Sequence, residues 1–409
     1  MKKIAIAGVT LSGNMGGQAM LLATLEAMRS RFPGASFSLL SIYPGSDRKI
    51  NDIDDLTIVP APAALLTGLY LPLALIAWPF MHVSGVRRIL SCIPYFNAVL
   101  KSDMVIDLAG IAFVDNRGIL LLLYNVACFL PAIILGKPVV KLSQALGPFE
   151  KPLNRIVSQF ALSRCTRVVV RGEQSREKIK KLDLPNVTML PDVAFAMDVP
   201  PSSVEQAKVL SASLKAGQKP LMISPSRVAQ RQCAAAGINF TREMKSLIEK
   251  LRDRGQSVVL IAHSLASGAS KNNDVALCHE ILDGMDSRHQ TDLITDVHDA
   301  RILRALIGEA GIFVGCRFHS IVAALTMCVP CVVIGWSHKY AEMLSPFGLE
   351  EWVIDASTFS SSRLLDLIVH VQAKGPEISL QIQRVLPAIQ KKAALNFDIA
   401  AGCLVRGNG

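Results

Sequence analysis

Short apolar, β-rich runs alternate with longer stretches of helical spacing from one end of the chain to the other, and this alternation constrains the fold most. In the first half, Lys3–Ala7, Ser36–Ile42, Met104–Leu108, Pro138–Leu142, Arg167–Val170 and Val187–Leu190 read as strands. Gly8–Gly17 reads as a glycine-rich loop, and Gln18–Arg31 as a helix with apolar residues at helical spacing. A Pro/Ser-containing stretch, Pro191–Glu205, reads as a linker, after which the pattern resumes. Leu221–Ser224, Ser257–Ala262, Gly311–Gly315 and Cys331–Gly335 are strands; Arg242–Asp253, Ala300–Ala310 and about Ser320 to Met327 are helices. Strands separated by helices predict parallel βαβ units with helices on both faces of each sheet.

A length of 409 residues suits two domains of ordinary size. The expectation is therefore α/β, with two Rossmann-like, doubly wound domains facing across a cleft, the architecture called GT-B in sugar transferases. The first spans 1–198 and the second 207–378. A tail at 379–409 carries a helix, Ser379–Asn396, that packs back on the first domain. Ligands of open parallel sheets gather at the carboxyl ends of strands, which places the site in the cleft.

Hydrophobic residues make up 51% of the chain and charged residues 19%, which excludes a disordered or fibrous protein. The net charge of +10 suits anionic partners such as phosphorylated small molecules or lipid head groups. Nucleic acid is not expected, because no basic run is interleaved with aromatics and no zinc-finger or RNA-recognition signature is present. Nine cysteines, most inside apolar runs as at Cys92, Cys128 and Cys316, read as free buried thiols of a reducing compartment. Cys328 and Cys331 form a lone CxxC without the second ligand pair that zinc needs, so no metal is expected. The apolar part of Met-Lys-Lys-Ile-Ala-Ile-Ala-Gly is too short for a secretory signal and reads as a first strand, which predicts a cytoplasmic protein.

Two uncharged segments qualify that picture: residues 56–86 and Gly118–Gly136. Length alone would let either cross a bilayer. Pro60, Pro62, Pro72 and Pro79 break up the first and Pro131 interrupts the second. Crossing would also separate βαβ halves that must pair in one sheet. Gly118–Gly136 is expected as buried helix covering the sheet. For 56–86 two readings stand side by side. One is buried cover; the other is an apolar lobe at the inner face of the membrane, with Arg87 and Arg88 meeting head groups.

The sharpest constellation is Gly311-Ile-Phe-Val-Gly-Cys-Arg-Phe-His-Ser320, which reads as buried strand, tight turn and helix. Arg317 and His319 then stand where a strand ends and a helix begins. Helix N–H groups and the helix dipole favour an anion there. A guanidinium adds a bidentate grip on phosphate or carboxylate. An imidazole donates or accepts a proton near neutrality. Taken singly, each residue is more often a surface cation or a helix cap; as a pair at this place they point to function.

The stretch from Asp299 through Leu349 resembles the C-terminal signature of the polysaccharide pyruvyltransferase family. Its parts here are Ala300–Ala310, Ile312-Phe-Val-Gly, Arg317-Phe-His-Ser, Ile321–Met327, Pro330, Val332-Val-Ile-Gly and His338-Lys-Tyr. Other stretches are similar in the right order. They are Ser12-Gly-Asn-Met-Gly-Gly-Gln-Ala, Ser143-Gln-Ala-Leu-Gly-Pro-Phe, Val170-Arg-Gly-Glu-Gln-Ser, Pro191-Asp-Val-Ala-Phe, and Ile261-Ala-His263 with Asp274 downstream. Two departures stand out: Asp107-Leu-Ala-Gly110-Ile-Ala-Phe is bulkier than the family's glycine-rich loop, and Gly17 replaces a common acidic residue or Ser.

The resemblance implies phosphoenolpyruvate as co-substrate, with no cofactor, and a sugar diol as acceptor, free or on a lipid-linked oligosaccharide. Its products would be a cyclic pyruvate ketal and phosphate. On that implication His319 is the leading proton donor and Arg317 its catalytic partner. Arg171, Arg317 and Arg227 would hold the donor's two negative charges, with Ser320 and His263 assisting. Asp107, or else Asp115, would orient the acceptor hydroxyls, although a loop Asp is more commonly a turn former. Asn14 and Gly16 lie in a turn that either lets the backbone approach a ligand or is simply tight. The identity of the general base stays open. Two other readings remain: a nucleotide-sugar glycosyltransferase of the same shape, for which His338, Lys339 and Glu342 are available, and a non-catalytic member binding glycan or a membrane-bound assembly partner.

Overall fold

The computed structural model describes residues 1–212, 214, 219–265, 272–286, 291–337 and 339–406. The chain forms two compact units: Met1–Ser12, Met20–Ala196 and Lys391–Gly409 make the first, and Gly13–Ala19 with Met197–Gln390 the second. Two pieces depart from the expected division into 1–198, 207–378 and 379–409. The turn Gly13–Ala19 counts with the second unit, because Met15 N–H donates to His263 O (3.3 Å), Asn14 forms a β-bridge with Ser264 and the Gln18 side chain donates to His298 O (2.8 Å). The closing helix runs Gly375–Arg406, longer than the expected Ser379–Asn396, and is shared between the units at Lys391.

The first unit holds an all-parallel sheet of β1 (Lys3–Ala7), β2 (Ser36–Ser41), β3 (Leu56–Pro60), β4 (Met104–Asp107), β5 (Ile111–Ala112), β6 (Val139–Leu146), β7 (Arg167–Val170) and β8 (Val187–Met189). The order is β3-β2-β1-β4-β6-β7-β8, with β5 beside β6. Strands covered by helices on both faces must be apolar nearly throughout. Ile4, Ala5 and Ile6 of β1 and Met104, Val105 and Ile106 of β4 accordingly have almost no exposed surface. The second unit has its own parallel sheet of β9 (Leu221–Ser224), β10 (Val258–Ile261), β11 (Asp292–Ile294), β12 (Ile312–Gly315), β13 (Cys331–Gly335) and β14 (Val353–Asp355), in the order β11-β10-β9-β12-β13-β14. In each sheet the chain order reverses next to its first strand, at β1/β4 and at β9/β12. Such reversals leave a crevice at the carboxyl ends, where doubly wound sheets take their ligands.

Residues 56–86 are not one segment. Leu-Thr-Ile-Val, rich in β-branched side chains, pairs with β2 as β3. Helical turns then run from Ala63 to Phe80, with Pro72 and Pro79 in the first turns of their pieces, where a missing N–H costs little. Leu66, Tyr70, Leu71, Ala74 and Ala77 are buried, whereas Leu69, Ile76, Trp78 and Phe80 are exposed. The stretch covers the core with one face only. Gly118–Gly136 also departs from the expectation of full burial: Ile119, Leu120 and Leu123 are exposed, while Val126–Ala132 are buried. All nine cysteines are free; Cys128 and Cys316 are buried as expected, but Cys92 is exposed, because it follows a short surface helix, Ser84–Leu90.

Candidate functional site

The carboxyl end of the second sheet gathers most of the chemistry. β9 ends in Ser224 and opens through Pro225 and Ser226 into the helix Arg227–Ala235; β12 ends in Gly315 and opens through Cys316 and Arg317 into the helix Phe318–Thr326. β10 leads to His263, and the helix Asp274–Leu282 starts nearby, with Arg227 N–H donating to Asp274 Oδ1 (3.1 Å). Three helices therefore begin around one point, and their dipoles favour negative charge there. Ser226 and Asn273 cap two of them through their side chains. Arg317, at the cap position of the third, makes no side-chain cap bond.

Arg317 pairs with the fully buried Asp274. Its Nη2 donates to Oδ1 (2.7 Å), its Nε donates to Oδ2, and Nη2 also reaches Asn272 O (3.3 Å). The carboxylate fixes the guanidinium plane, and a residual 15% side-chain exposure leaves the group in contact with solvent. Ser320, expected to touch substrate, is instead buried: its hydroxyl donates to Arg317 O (2.8 Å) and locks the turn. Arg227 departs likewise. Its guanidinium is bound by Glu280 and by Gln230 Oε1 (2.9 Å), and it holds the Glu280 carboxyl below its ordinary range. It joins the centre through its backbone N–H on Asp274 and through Nε, which donates to Asn273 O (3.2 Å).

Two imidazoles complete the group. His263 is 4% exposed, and its Nδ1 has no hydrogen-bond partner among the described residues. Burial lowers its pKa well below the usual value, and the neighbouring positive groups Arg317, His319 and Arg304 add to the effect, so it is neutral at physiological pH. His319, in the first turn of Phe318–Thr326, is half-buried beneath the glycine turn. A Cβ placed on Gly16 would fall onto the His319 ring, so no residue but glycine fits there without displacing the imidazole. Asn14 Oδ1 accepts from Gly16 N–H (3.0 Å), which holds this turn. The sequence thus brings Asn14, Gly16, His263, Arg317 and His319 together, with Ser320 and Arg227 as supports.

Asp107 and Arg171 belong to the other unit. Asp107, at the end of β4, is expected to orient a substrate but is committed to an ion pair with Lys141, both side chains being 1% exposed. Its Oδ1 also accepts from Ala109 N–H (2.9 Å) and from Gln144 Nε2 (3.1 Å). Lys141 lies 4.0 Å from the centroid of the Phe129 ring. Above them is a cavity of about 150 Å³, lined among others by Gly8, Gly110, Arg117, Tyr124 and Asn125. Arg171 is 7% exposed and bound to Asp192, so its charge is neutralised within the unit. Asp115 ties down the loop by accepting from Glu150 N–H (2.7 Å) and Asn154 Nδ2 (2.7 Å). His338 lies outside the described residues.

Sequence reasoning left Asp274 and Lys141 without roles. A lone lysine inside the apolar run Pro138–Leu142 was the available signal for the second, since a buried ammonium requires a carboxylate. Asp274 carried none beyond its place after His263. Among the described residues no group of three or more His, Cys, Asp or Glu is disposed to hold a metal ion.

Comparison with known proteins identifies the family. The sequence model for polysaccharide pyruvyl transferases matches residues 14–338. The amylovoran biosynthesis protein AmsJ of Erwinia amylovora is 22% identical over 424 residues, covering 98% of this chain and 99% of that protein. Among solved structures, the UDP-GlcNAc 2-epimerase of Neisseria meningitidis bound to UDP-GlcNAc superimposes with a TM-score of 0.58 at 13% identity, over 93% of this chain and 94% of that one. The Methanocaldococcus jannaschii UDP-GlcNAc 2-epimerase in complex with UDP-GlcNAc and UDP gives 0.57 at 11%, over 95% and 100%. At such identities the likeness establishes the GT-B-like α/β fold and no more.

Proposed function

The chain belongs to the polysaccharide pyruvyl transferase family, and on that premise we propose that it transfers the enolpyruvyl group of phosphoenolpyruvate to a sugar diol of a cell-surface or exopolysaccharide precursor. The donor's phosphate and carboxylate would occupy the carboxyl edge of the second sheet, facing the helix starts and Arg317. His319 would protonate the methylene carbon as the first sugar hydroxyl, giving its proton to His263, attacks the neighbouring carbon. Phosphate then leaves, taking the C–O bonding electrons. The second hydroxyl closes the ring and gives its proton to the phosphate, leaving a pyruvate ketal. His263, held neutral, suits the role of proton acceptor rather than donor. Asp274 and Ser320 would position Arg317. The cavity beside Asp107 and Lys141 is the proposed place for the acceptor sugar, free or lipid-linked.

The observation that carries this reading is the assembly of Arg317, His319 and neutral His263 under a glycine turn where three helices begin. It is tested by incubating the purified protein with acceptor panels and either phosphoenolpyruvate or UDP-sugars. Acceptor-dependent phosphate release is expected, lost in His319→Ala and shifted to a higher KM for phosphoenolpyruvate in Arg317→Ala. UDP release with no phosphate release would replace it with a glycosyltransferase reading.

A further inference from the structure

We propose that the first unit docks on an anionic phospholipid bilayer through its outward helices, lying on the surface without crossing it. The Ala63–Phe80 stretch is 18 residues of apolar helix with only 22% buried, whereas a core helix of this composition would be mostly enclosed. Its turn at Leu66–Tyr70 packs against the helix Ile119–Ala127, which in turn packs against Pro152–Leu162. Each of the three carries exposed apolar side chains: Leu120 is 76% exposed, Ile76 68%, Ile156 63%, Phe80 55% and Trp78 51%. Apolar exposure of this extent on successive packed helices marks an interaction surface, and exposed Trp and Phe suit the headgroup boundary.

Charge selects the occupant. Residues 56–172 hold eleven Lys or Arg against four Asp or Glu, a surplus of seven in a chain whose total is +10. Two of the eleven bases are matched in buried pairs, Lys141 by Asp107 and Arg171 by Asp192, and Glu150 pairs with Lys181, so nine bases face only Asp103 and Asp115 and the surplus stays at seven. Arg87, Arg88, Arg117, Lys151 and Arg155 are exposed on or beside the apolar helices. Self-pairing would set this basic face against its own copy, since a two-fold contact uses the same patch twice. An anionic bilayer offers both an apolar interior and opposite charge.

The fold also sets the depth. β3 and β4 flank the stretch and belong to one parallel sheet, and the returning helix Pro94–Lys101 packs on β1 and β3, so the chain stays on one side. In Ile119–Ala127, Leu120 and Leu123 are exposed while Leu121, Tyr124 and Asn125 line the cavity. Docking would hold that cavity one helix away from the headgroups.

The test needs no substrate and so is independent of the transfer reaction. The full chain is floated with vesicles of phosphatidylcholine alone or of phosphatidylcholine with phosphatidylglycerol. It is expected to float with the second, less so as salt rises, with Trp78 fluorescence shifted to the blue and quenched by brominated lipid. Arg87→Glu with Arg88→Glu, and separately Ile76→Gln with Leu120→Gln, should each weaken vesicle binding roughly tenfold or more with the circular dichroism unchanged. Failure to float, or flotation without Trp78 quenching, overturns the proposal. So does self-association abolished by Ile76→Gln with Leu120→Gln in a chain that ignores vesicles, which would make the face a contact between copies.

Discussion

The two sheets place their reversal points alike and spend charge on them differently. At β1/β4 of the first unit the ionic groups are turned inward: Asp107 and Lys141 neutralise each other with almost no exposure, and Arg171 is matched by Asp192. At β9/β12 of the second unit the helix starts converge, a neutral imidazole lies beneath, and Arg317 keeps some exposure while Asp274 orients it. Buried pairs shape and hold a cavity but have little charge left to offer a ligand. Oriented, partly exposed cations next to helix N-termini can meet a doubly negative one. The same βα architecture thus closes its charges inward in one unit and leaves an oriented cation at the edge of the other.

That contrast can be broken by substitution. The largest effect is expected from His319→Ala, which should lower kcat by about 10²–10⁴-fold while the melting temperature stays near wild type. Next comes Lys141→Met, which strands the Asp107 carboxylate in the core. It should cost about 3–5 kcal/mol in urea unfolding, and if turnover fell further than the folded fraction, the first edge would be chemical as well. Gly16→Ala should press on the His319 ring and reduce kcat by up to about 10²-fold in a folded protein; an unchanged rate would mean that the imidazole position does not matter.

The smallest effect concerns His263. Its folded pKa lies below the unfolded value, so the unfolded chain binds the extra proton as pH falls below about 6.5. Stability is thus fully present at higher pH and declines on acidification through that range. The slope is at most about 1.4 kcal/mol per pH unit for one group. His263→Gln should flatten this part of the stability–pH curve; an unaltered curve would mean that His263 is not held neutral.

How much was legible follows the physics of each element. Central strands such as Lys3–Ala7 and Cys331–Gly335 were read from continuous apolar runs, because two-sided burial leaves no other composition. β3 was hidden, since its β-branched run continues into apolar helix without a charged residue between them. Arg317 and His319 were legible as a strand-to-helix turn. Their partners were not: Asp274 is 43 residues from Arg317, and no spacing rule reports such a pairing. Ser320, Arg171 and Arg227 were legible as polar residues near strand ends, but the buried turn bond of Ser320 and the pairings of Arg171 with Asp192 and Arg227 with Glu280 were not, because no spacing reports them.

Transfer of pyruvate at the second sheet's edge is read most directly from the mass of the acceptor after incubation with phosphoenolpyruvate in heavy water. The acceptor should be heavier by one pyruvate less one water and carry a single deuterium in the new methyl group, because the methylene carbon takes a solvent-exchangeable proton from His319. An acceptor of unchanged mass, or one enlarged by a whole sugar only when a nucleotide sugar is supplied, would contradict it.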